Sequence, residues 1–291
     1  MNAPLVLDFD ASVGALPGAH VIDLADWQEA IRFGCSLRRL RELTREIERR
    51  LPAVYGTVFL GSGDYHHLTW PLVERRAAQG PFDVVVFDNH PDNMRFPFGV
   101  HCGSWVRKVA LLPHVAHVHV LGISSADVSA AHAWENYLTP LRRGKLTYWT
   151  VGVDTRWATR LGLGAAFRPF DTPAALIERF IESRRASTRP VYLSIDKDVL
   201  SPEVARTNWD QGRLGDADLF RVIDALRGRL IGSDITGDVS AYRYRTWWKR
   251  KLSALDEQPA IDAAQLATWQ AQQHALNLRL LGRIADASRG A

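Results

Sequence analysis

The segment 82–92 constrains the fold of this chain more than any other stretch. Its first six residues are a short apolar run, rich in valine and phenylalanine and flanked by prolines, which is typical of a buried strand in a parallel sheet. Three side chains of the type that bind metals follow the run at a spacing of two: Asp88, His90 and Asp92. In an extended chain alternate side chains point to one face, so the three can converge on one point. Because open α/β sheets bind ligands at the carboxyl ends of their strands, the segment predicts a functional sheet edge.

Short apolar runs alternate with longer amphipathic segments along most of the chain. Predicted strands cover residues 4–9, 19–23, 54–61, 82–88, 117–123, 146–151, 190–196 and 230–236. Predicted helices cover residues 25–51, 66–79, 102–112, 126–138, 172–187, 216–229 and 261–283. This alternation predicts an α/β fold with a mostly parallel sheet of about eight strands, covered on both faces. Since no linker or repeat interrupts it, we expect one domain over residues 1–291, with a C-terminal helical segment at about 255–286.

The composition is that of an ordinary globular protein. The 291 residues are 46% hydrophobic, and 36 basic against 32 acidic residues give a net charge of +4, too mild to imply a nucleic-acid or membrane partner. No apolar run approaches the ~20 residues of a membrane-spanning helix. The first residues lack the basic region of a signal peptide, and two cysteines are too few for a disulfide framework. We therefore expect a cytoplasmic protein.

A second apolar run also ends in acidic residues at a spacing of two. It covers residues 191–195 and leads into Asp196 and Asp198, which therefore share a face. One interpretation is a cap, in which carboxylates accept hydrogen bonds from the next backbone N–H groups. That explains one aspartate better than two, because like charges a few ångströms apart repel unless a cation or a proton neutralises one.

A glycine-rich turn, residues 61–64, supplies the third group, the histidine pair His66 and His67. The turn lacks the further glycine and the lysine of a phosphate-binding P-loop, and such turns are often only structural. Together with His90, one histidine of the pair and four aspartates make a hard ligand set, suited to manganese rather than thiolate-bound zinc. Four carboxylates balance two divalent cations, and a dinuclear centre can activate a bridging water.

The order of these motifs resembles that of the arginase/agmatinase/formiminoglutamase (ureohydrolase) superfamily, over residues 55–240. The resemblance is carried by the glycine-rich turn with its histidines, by Asp-x-His-x-Asp, by a His-Cys-Gly loop at residues 101–103 and by Ser-x-Asp-x-Asp at residues 194–198. It implies a three-layer α/β/α fold, two Mn²⁺ ions per chain (other divalent metals being possible), a small-molecule substrate and a homo-oligomer. The implied activity is hydrolysis of non-peptide C–N bonds in guanidino or amidino compounds.

The resemblance also implies roles for single residues. One ion would be held by His66, Asp88, Asp92 and Asp196, and the other by Asp88, His90, Asp196 and Asp198. His67 is an alternative to His66, since Tyr65 is an extra residue in the turn. Asp92 would orient the attacking water and accept its proton. His101 would be a proton shuttle, in the titration range that suits this role; its other interpretation is an exposed loop histidine.

The sequence departs from the family where the substrate would bind. Relatives that act on guanidinium compounds carry a glutamate three residues after the aspartate at the position of Asp234, and this chain has Gly237 there. A carboxylate pairs bidentately with a guanidinium, so its loss weakens arginine and agmatine as substrates unless a bulge moves Asp238 into place. We predict Asp238 and Asn208 as candidate substrate contacts.

The basic and aromatic segment 242–251 has no counterpart in these motifs. It could contact nucleic acid, but the mild net charge favours a lid, a subunit contact or a site for a substrate anion. Two other functions stay open for the chain: a metal-dependent amide hydrolase of deacetylase type, and a non-catalytic binding subunit with this fold.

Overall fold

A nine-stranded parallel sheet forms the centre of the protein. The computed structural model describes residues 2–255 and 261–289. The strands are β1 (Leu5–Asp8), β2 (His20–Asp23), β3 (Gly34–Cys35), β4 (Val58–Phe59), β5 (Phe82–Phe87), β6 (Val100–His101), β7 (Val115–Ile123), β8 (Leu146–Val151), β9 (Phe167–Phe170), β10 (Val191–Asp196) and β11 (Leu230–Thr236). The main sheet has the order β2-β1-β4-β11-β10-β5-β7-β8-β9, while β3 and β6 form a separate antiparallel pair.

The described residues contain ten α-helices, eight of them before β11 and two after it, and many 3-10 turns. The helices are α1 (Gln28–Ile31), α2 (Leu37–Arg50), α3 (Thr69–Glu74), α4 (Val106–Ala110), α5 (Thr139–Arg142), α6 (Arg156–Arg160), α7 (Pro173–Arg184), α8 (Asp216–Ala225), α9 (Trp247–Leu255) and α10 (Ala263–Ser288). Among the described residues, no helix is long and apolar enough to cross a membrane.

Two apolar layers lie on opposite faces of the sheet. Along β5, Val84 and Val86 belong to the layer under α2 and α4, while Val85 and Phe87 belong to the layer under α7, α8 and α10. This alternation explains why the strand is a continuous apolar run, since both of its faces are buried. The prediction of a three-layer α/β/α fold is confirmed; that the whole chain forms one domain stays a prediction.

The register of neighbouring strands brings the acidic motifs together. β5 pairs with β10, and Phe87 lies opposite Ile195. The next residues of the two strands, Asp88 and Asp196, therefore leave the sheet side by side at its carboxyl edge. On the other side of β10, β11 pairs with β4, which leads into the glycine-rich turn.

All eight predicted strands are present, but a ninth, β9, was not predicted. It is a short strand at the edge of the sheet that contains Pro169, which cannot donate to a ladder and so obscured the pattern. The predicted helix 126–138 is wrong, since this stretch holds only 3-10 turns. Helix α9 was also missed, while α10 confirms the C-terminal helix; residues 256–260 of the segment predicted at about 255–286 lie outside the described residues.

The predicted helix 25–51 is broken in two at Arg32 and Phe33. Phe33 has a φ of 68°, in the left-handed region, which ends α1 and starts β3. The break turns the Arg32 guanidinium inward, where Nε lies 2.7 Å from Asp64 and one amino group lies 3.1 Å from Asp10. The same guanidinium donates to Ser240 at 2.8 Å. One buried cation thus joins the loop after β1, the glycine-rich turn and the loop after β11.

We expect Arg32→Met to lower the free energy of unfolding by about 3–5 kcal/mol, because it leaves two carboxylates without their cation in a buried site. Chemical denaturation measures the change. The control is Arg38→Met, which removes an exposed pair with Glu42 and should cost less than about 1 kcal/mol. Equal losses in the two variants would contradict the role given to Arg32.

Candidate metal centre

His66 lies at the centre of one half of the site. It belongs to the 3-10 turn Gly63–Leu68, which starts after Ser62 accepts a hydrogen bond from the Asp64 amide. Its Nδ1 lies 2.9 Å from Asp92, 3.2 Å from Asp88 and 3.4 Å from Asp196, in each case from Oδ2. The turn therefore carries this histidine into the group of carboxylates at the sheet edge.

Hydrogen bonds behind His66 fix the orientation of its ring. Nε2 lies 3.0 Å from Ser194 Oγ, and that hydroxyl donates to Asp234 at 2.7 Å. Since the hydroxyl hydrogen is engaged with Asp234, Ser194 accepts from Nε2–H. Although burial lowers it, the pKa of His66 lies well above its ordinary value, because Nδ1 faces Asp88 and Asp92. In the neutral form the same ring would keep its hydrogen on Nε2 and present the lone pair of Nδ1 to the cluster, as a metal-binding imidazole requires.

His90 repeats this arrangement in the other half of the site. Its Nδ1 lies 3.0 Å from Asp198 Oδ2 and 3.5 Å from Asp88 Oδ1. Its Nε2 lies 2.6 Å from Asp210, which also accepts from the Asn89 side chain at 3.0 Å. Thus each histidine has one nitrogen held by an acceptor outside the cluster and one directed into it.

Two groups of ligand atoms result, and Asp88 belongs to both. One consists of His66, Asp88 and Asp196, the other of Asp88, His90 and Asp198, with the ligand atoms of each within 4.8 Å of one another. The Oδ2 atom of Asp88 faces the first histidine and Oδ1 the second. Such a shared carboxylate suits a bridging ligand, whereas Asp196 belongs to one of these groups only. The ligand sets implied by the family resemblance stay predictions.

The cluster carries more negative charge than its surroundings can stabilise. Burial, reinforced by the charge of Asp88, raises the pKa of both Asp92 and Asp198 to about 7. Burial and the charge of Asp198 raise the pKa of Asp196 well above its ordinary value. The buried Nδ1 of His66 and Oδ2 of Asp88 face each other at 3.2 Å without the geometry of a hydrogen bond. Crowded carboxylates around imidazole nitrogens fit divalent cations as additional partners.

Asp92 is held in an unusual backbone conformation. Its φ is 44°, in the left-handed region, and its carbonyl accepts from the Val106 amide at 2.9 Å. The buried Trp105 donates from Nε1 to Asp92 Oδ2 at 2.6 Å. This contact between the loop after β5 and the start of α4 fixes the carboxylate beside His66.

The structure distinguishes between the two histidines of the turn. His67 is buried and turned away, with Nε2 at 4.0 Å from Cys35 Sγ. Burial lowers its pKa well below the ordinary value, and it belongs to neither ligand group. The geometry thus favours His66 over His67 as the ligand.

The cluster opens into a cavity of about 270 Å³, which His101 also lines. Nδ1 of His101 accepts a hydrogen bond from the Gly103 amide at 3.0 Å, so the neutral ring carries its hydrogen on Nε2. Burial lowers the pKa of His101 to about 4. The ring is therefore uncharged near neutral pH, and its pKa lies below the range on which the prediction of a proton shuttle relied. Nor is His101 an exposed loop histidine.

The two candidate substrate contacts lie away from the cavity. Asp238 is buried and binds Lys197 Nζ at 2.5 Å and the Asn277 side chain at 2.9 Å. Asn208 makes two hydrogen bonds of 2.9 Å to the backbone of Ser240. Both side chains are occupied in holding loops together, and neither lines the cavity, so this geometry gives no support to a role in substrate binding.

Gly237 has no room for a side chain. Its φ is 88°, and a Cβ atom would lie 2.4 Å from Asp196 Oδ1 and 2.6 Å from the Lys197 amide nitrogen. A glutamate could not occupy this position without moving a member of the cluster. Furthermore, no bulge carries Asp238 into the site, since its amide donates to the Gly61 carbonyl at 3.0 Å.

Several residues of the site were not identified from the sequence, Asp210 and Trp209 among them. Asp210, the acceptor for His90, and Trp209, which lines the cavity, lie in the loop between β10 and α8. Neither follows a strand at a regular spacing. The one available signal was the position of this loop directly after the second acidic motif.

Comparison with known proteins gives one relative by sequence and several by structure. No protein-family model matches the chain. A protein of Thermotoga maritima, described only as uncharacterized, is 30% identical over 215 residues, which are 74% of this chain and 70% of that protein.

Several solved structures share the fold at low sequence identity. Proclavaminate amidino hydrolase of Streptomyces clavuligerus is 16% identical, with 98% of this chain and 93% of that chain covered and a TM-score of 0.53. Formimidoylglutamase of Bacillus subtilis is 15% identical, with 97% and 86% covered and a TM-score of 0.52. Agmatine ureohydrolase of Thermoplasma volcanium is 17% identical, with 96% and 75% covered and a TM-score of 0.52.

The chain therefore belongs to one family with the Thermotoga protein, and it has the fold of proclavaminate amidino hydrolase, formimidoylglutamase and agmatine ureohydrolase.

Proposed function

We propose that this protein is a hydrolase that uses two divalent cations, Mn²⁺ by preference, to cleave a non-peptide C–N bond in a small amidino or guanidino compound. The observation that carries the proposal is a pair of histidines, His66 and His90, whose Nδ1 atoms both face a cluster of four buried carboxylates. One of these carboxylates, Asp88, belongs to both ligand groups. Oxygen and imidazole ligands without thiolate suit manganese. The amidino hydrolase and agmatine ureohydrolase that share the fold support this reaction class. The cytoplasmic location and the homo-oligomer stay predictions.

The residues of this chain divide the work as follows. When bound, two cations would lower the pKa of a water molecule, so that it could lose a proton near neutral pH and attack a planar carbon. Asp92, fixed by Trp105 beside His66, would orient this water and hold its proton. His101 would donate a hydrogen bond from Nε2 to the substrate. Addition of water to the carbon and loss of the C–N bond then release an amine, which takes up the proton.

A specific observation also favours a second function, amide hydrolysis. No carboxylate outside the cluster lines the cavity among the described residues, and position 237 cannot carry one. A guanidinium would therefore lack the bidentate partner that usually recognises it. An amide needs no such partner.

Equilibrium dialysis against Mn²⁺, followed by elemental analysis, should find two ions per chain. Asp88→Asn should lose most of both, since Asp88 belongs to both ligand groups, whereas Asp198→Asn should lose mainly one. The wild-type protein should also melt at a higher temperature with Mn²⁺, as ligands of the native state raise its stability. Asp154→Asn, at an exposed position, is the control. Fewer than two ions at saturation would refute the dinuclear site.

A screen of guanidino, amidino and acylamino compounds should find one class that the Mn²⁺-loaded protein hydrolyses, read out as urea, ammonia or carboxylic acid. In that assay Asp92→Asn should lower kcat by about 10²–10⁴-fold, because it removes the group that takes the proton. Asp154→Asn should retain the activity. Acid release from acylamino compounds alone would select the second function, and ion binding without turnover of any class would indicate a non-catalytic subunit.

Gly237→Ala should lower the free energy of unfolding by about 1–2 kcal/mol from its left-handed backbone alone, and should weaken Mn²⁺ binding because the new Cβ displaces Asp196. Denaturation and dialysis measure the two effects. The matched control is Gly282→Ala within α10, where a Cβ meets open space and should raise stability by about 0.5–1 kcal/mol. Unchanged Mn²⁺ affinity in Gly237→Ala would show that this glycine does not protect the site.

A further inference from the structure

An unbroken series of aromatic rings leads from the metal centre to the protein surface. It starts at Trp209, whose ring lies 6.2 Å from that of His90, and continues through Phe33, in a nearly parallel plane 6.2 Å from Trp209. His101 is nearly parallel to Phe33 at 5.9 Å, and Phe96 meets His101 edge-on at 4.6 Å. We call Trp209, Phe33, His101 and Phe96 the aromatic wall; all four line the cavity.

The inner end of the aromatic wall lies directly beside the ligand carboxylates. A Cβ atom on Gly63 would lie 3.1 Å from the Trp209 ring and 3.2 Å from Asp196 Oδ2, so only a glycine separates them. At the outer end Phe96 meets Phe98, which is 80% exposed. A ligand in the cavity therefore has the rings of the aromatic wall beside it.

The segment 242–251 supports this wall from behind. Tyr244 packs edge-on against Phe33 with ring centroids 6.4 Å apart, and Trp248 packs against the same group. The buried Lys249 donates to the carbonyls of Glu29 and Arg32 at 2.7 and 2.8 Å. Three of the aromatic and basic residues of this segment thus point inward and fix the position of Phe33.

Among the described residues that line the cavity, the exposed Arg95 is the one cationic side chain apart from the histidines. Its Nε contacts the Asn136 carbonyl at 3.4 Å and its guanidinium lies 5.8 Å from the Tyr137 ring, both of which leave its charge uncompensated. Within the described residues no carboxylate forms an ion pair with Arg95. A flat, apolar wall and an exposed cation in the same cavity disfavour a ligand with an ammonium tail and favour one with an acidic group.

We infer that the substrate carries an aromatic ring, bound against the aromatic wall, and an acidic group that Arg95 binds, so that the substrate class is an aryl guanidine, amidine or amide bearing a carboxylate. The inference rests on the proposed function only for the identity of the reacting group. An aliphatic chain of equal length would fill the same cavity but forgo the stacking geometry of the rings.

The test is calorimetric titration of the Mn²⁺-loaded protein with 4-guanidinobenzoate and 6-guanidinohexanoate, which differ in the ring but share both end groups. The aryl compound should bind about three- to tenfold more tightly. Phe96→Leu and Trp209→Leu should each remove much of this preference, with Mn²⁺ content unchanged. The control Trp134→Leu alters an aromatic side chain that is 70% exposed and outside the wall. Arg95→Gln should weaken 4-guanidinobenzoate about tenfold and leave phenylguanidine unaffected.

Equal affinities for the two compounds, or equal losses for both in the wall variants, would overturn the inference whatever the protein hydrolyses. Tighter binding of an aliphatic guanidine that also carries an ammonium group, with agmatine as the probe, would overturn it too. Product release is assayed in the same samples. Aryl preference without product release would uphold the inference and count against the proposed hydrolase. Hydrolysis of aliphatic compounds alone would support the hydrolase and overturn the inference.

Discussion

The crowding of four carboxylates at one edge of the sheet is the constraint on which the rest of this structure depends. In a buried site each ionised aspartate raises the pKa of its neighbours, and water does not solvate these carboxylates as it would at the surface. Although burial lowers it, the pKa of His66 and of His90 lies well above its ordinary value because of the neighbouring carboxylates, so protons on these rings relieve part of the repulsion. Asp196 also acts as a cap, since it accepts a hydrogen bond from the Asp198 amide. Divalent cations in place of these protons would bind the carboxylates and both imidazoles together.

The polar groups below the cluster keep their charge balanced without reaching the cavity. Lys197 lies between Asp196 and Asp198 in sequence, yet its ammonium group is buried on the other side, paired with Asp238. Arg32 in turn compensates Asp10 and Asp64. Because these cations are already paired, they hold the loops in position, and neither forms an ion pair with the four carboxylates of the cluster. The ion pairs of the cluster are instead those with His66 and His90.

The parts of the site that were predictable follow from local rules. Asp88 and Asp196 could be placed together because both directly follow apolar strands, and parallel strands end at one edge. Asp210 and the aromatic wall could not be predicted, since they depend on how irregular loops fold over that edge. The break at Phe33 was hidden for a different reason: the helical pattern of 25–51 is real on both sides of it, and only the buried partners of Arg32 override it.

Gly237 and the aromatic wall both bear on how the site would recognise a ligand. A carboxylate at position 237 would bind a guanidinium by charge, but here a Cβ would displace Asp196, so binding cannot rely on a charge there. The cavity of about 270 Å³ instead offers apolar rings, which contribute through burial and stacking. Such contacts act on the part of a ligand that does not react. They can therefore determine which compound is bound while leaving the chemistry of the carboxylate cluster the same.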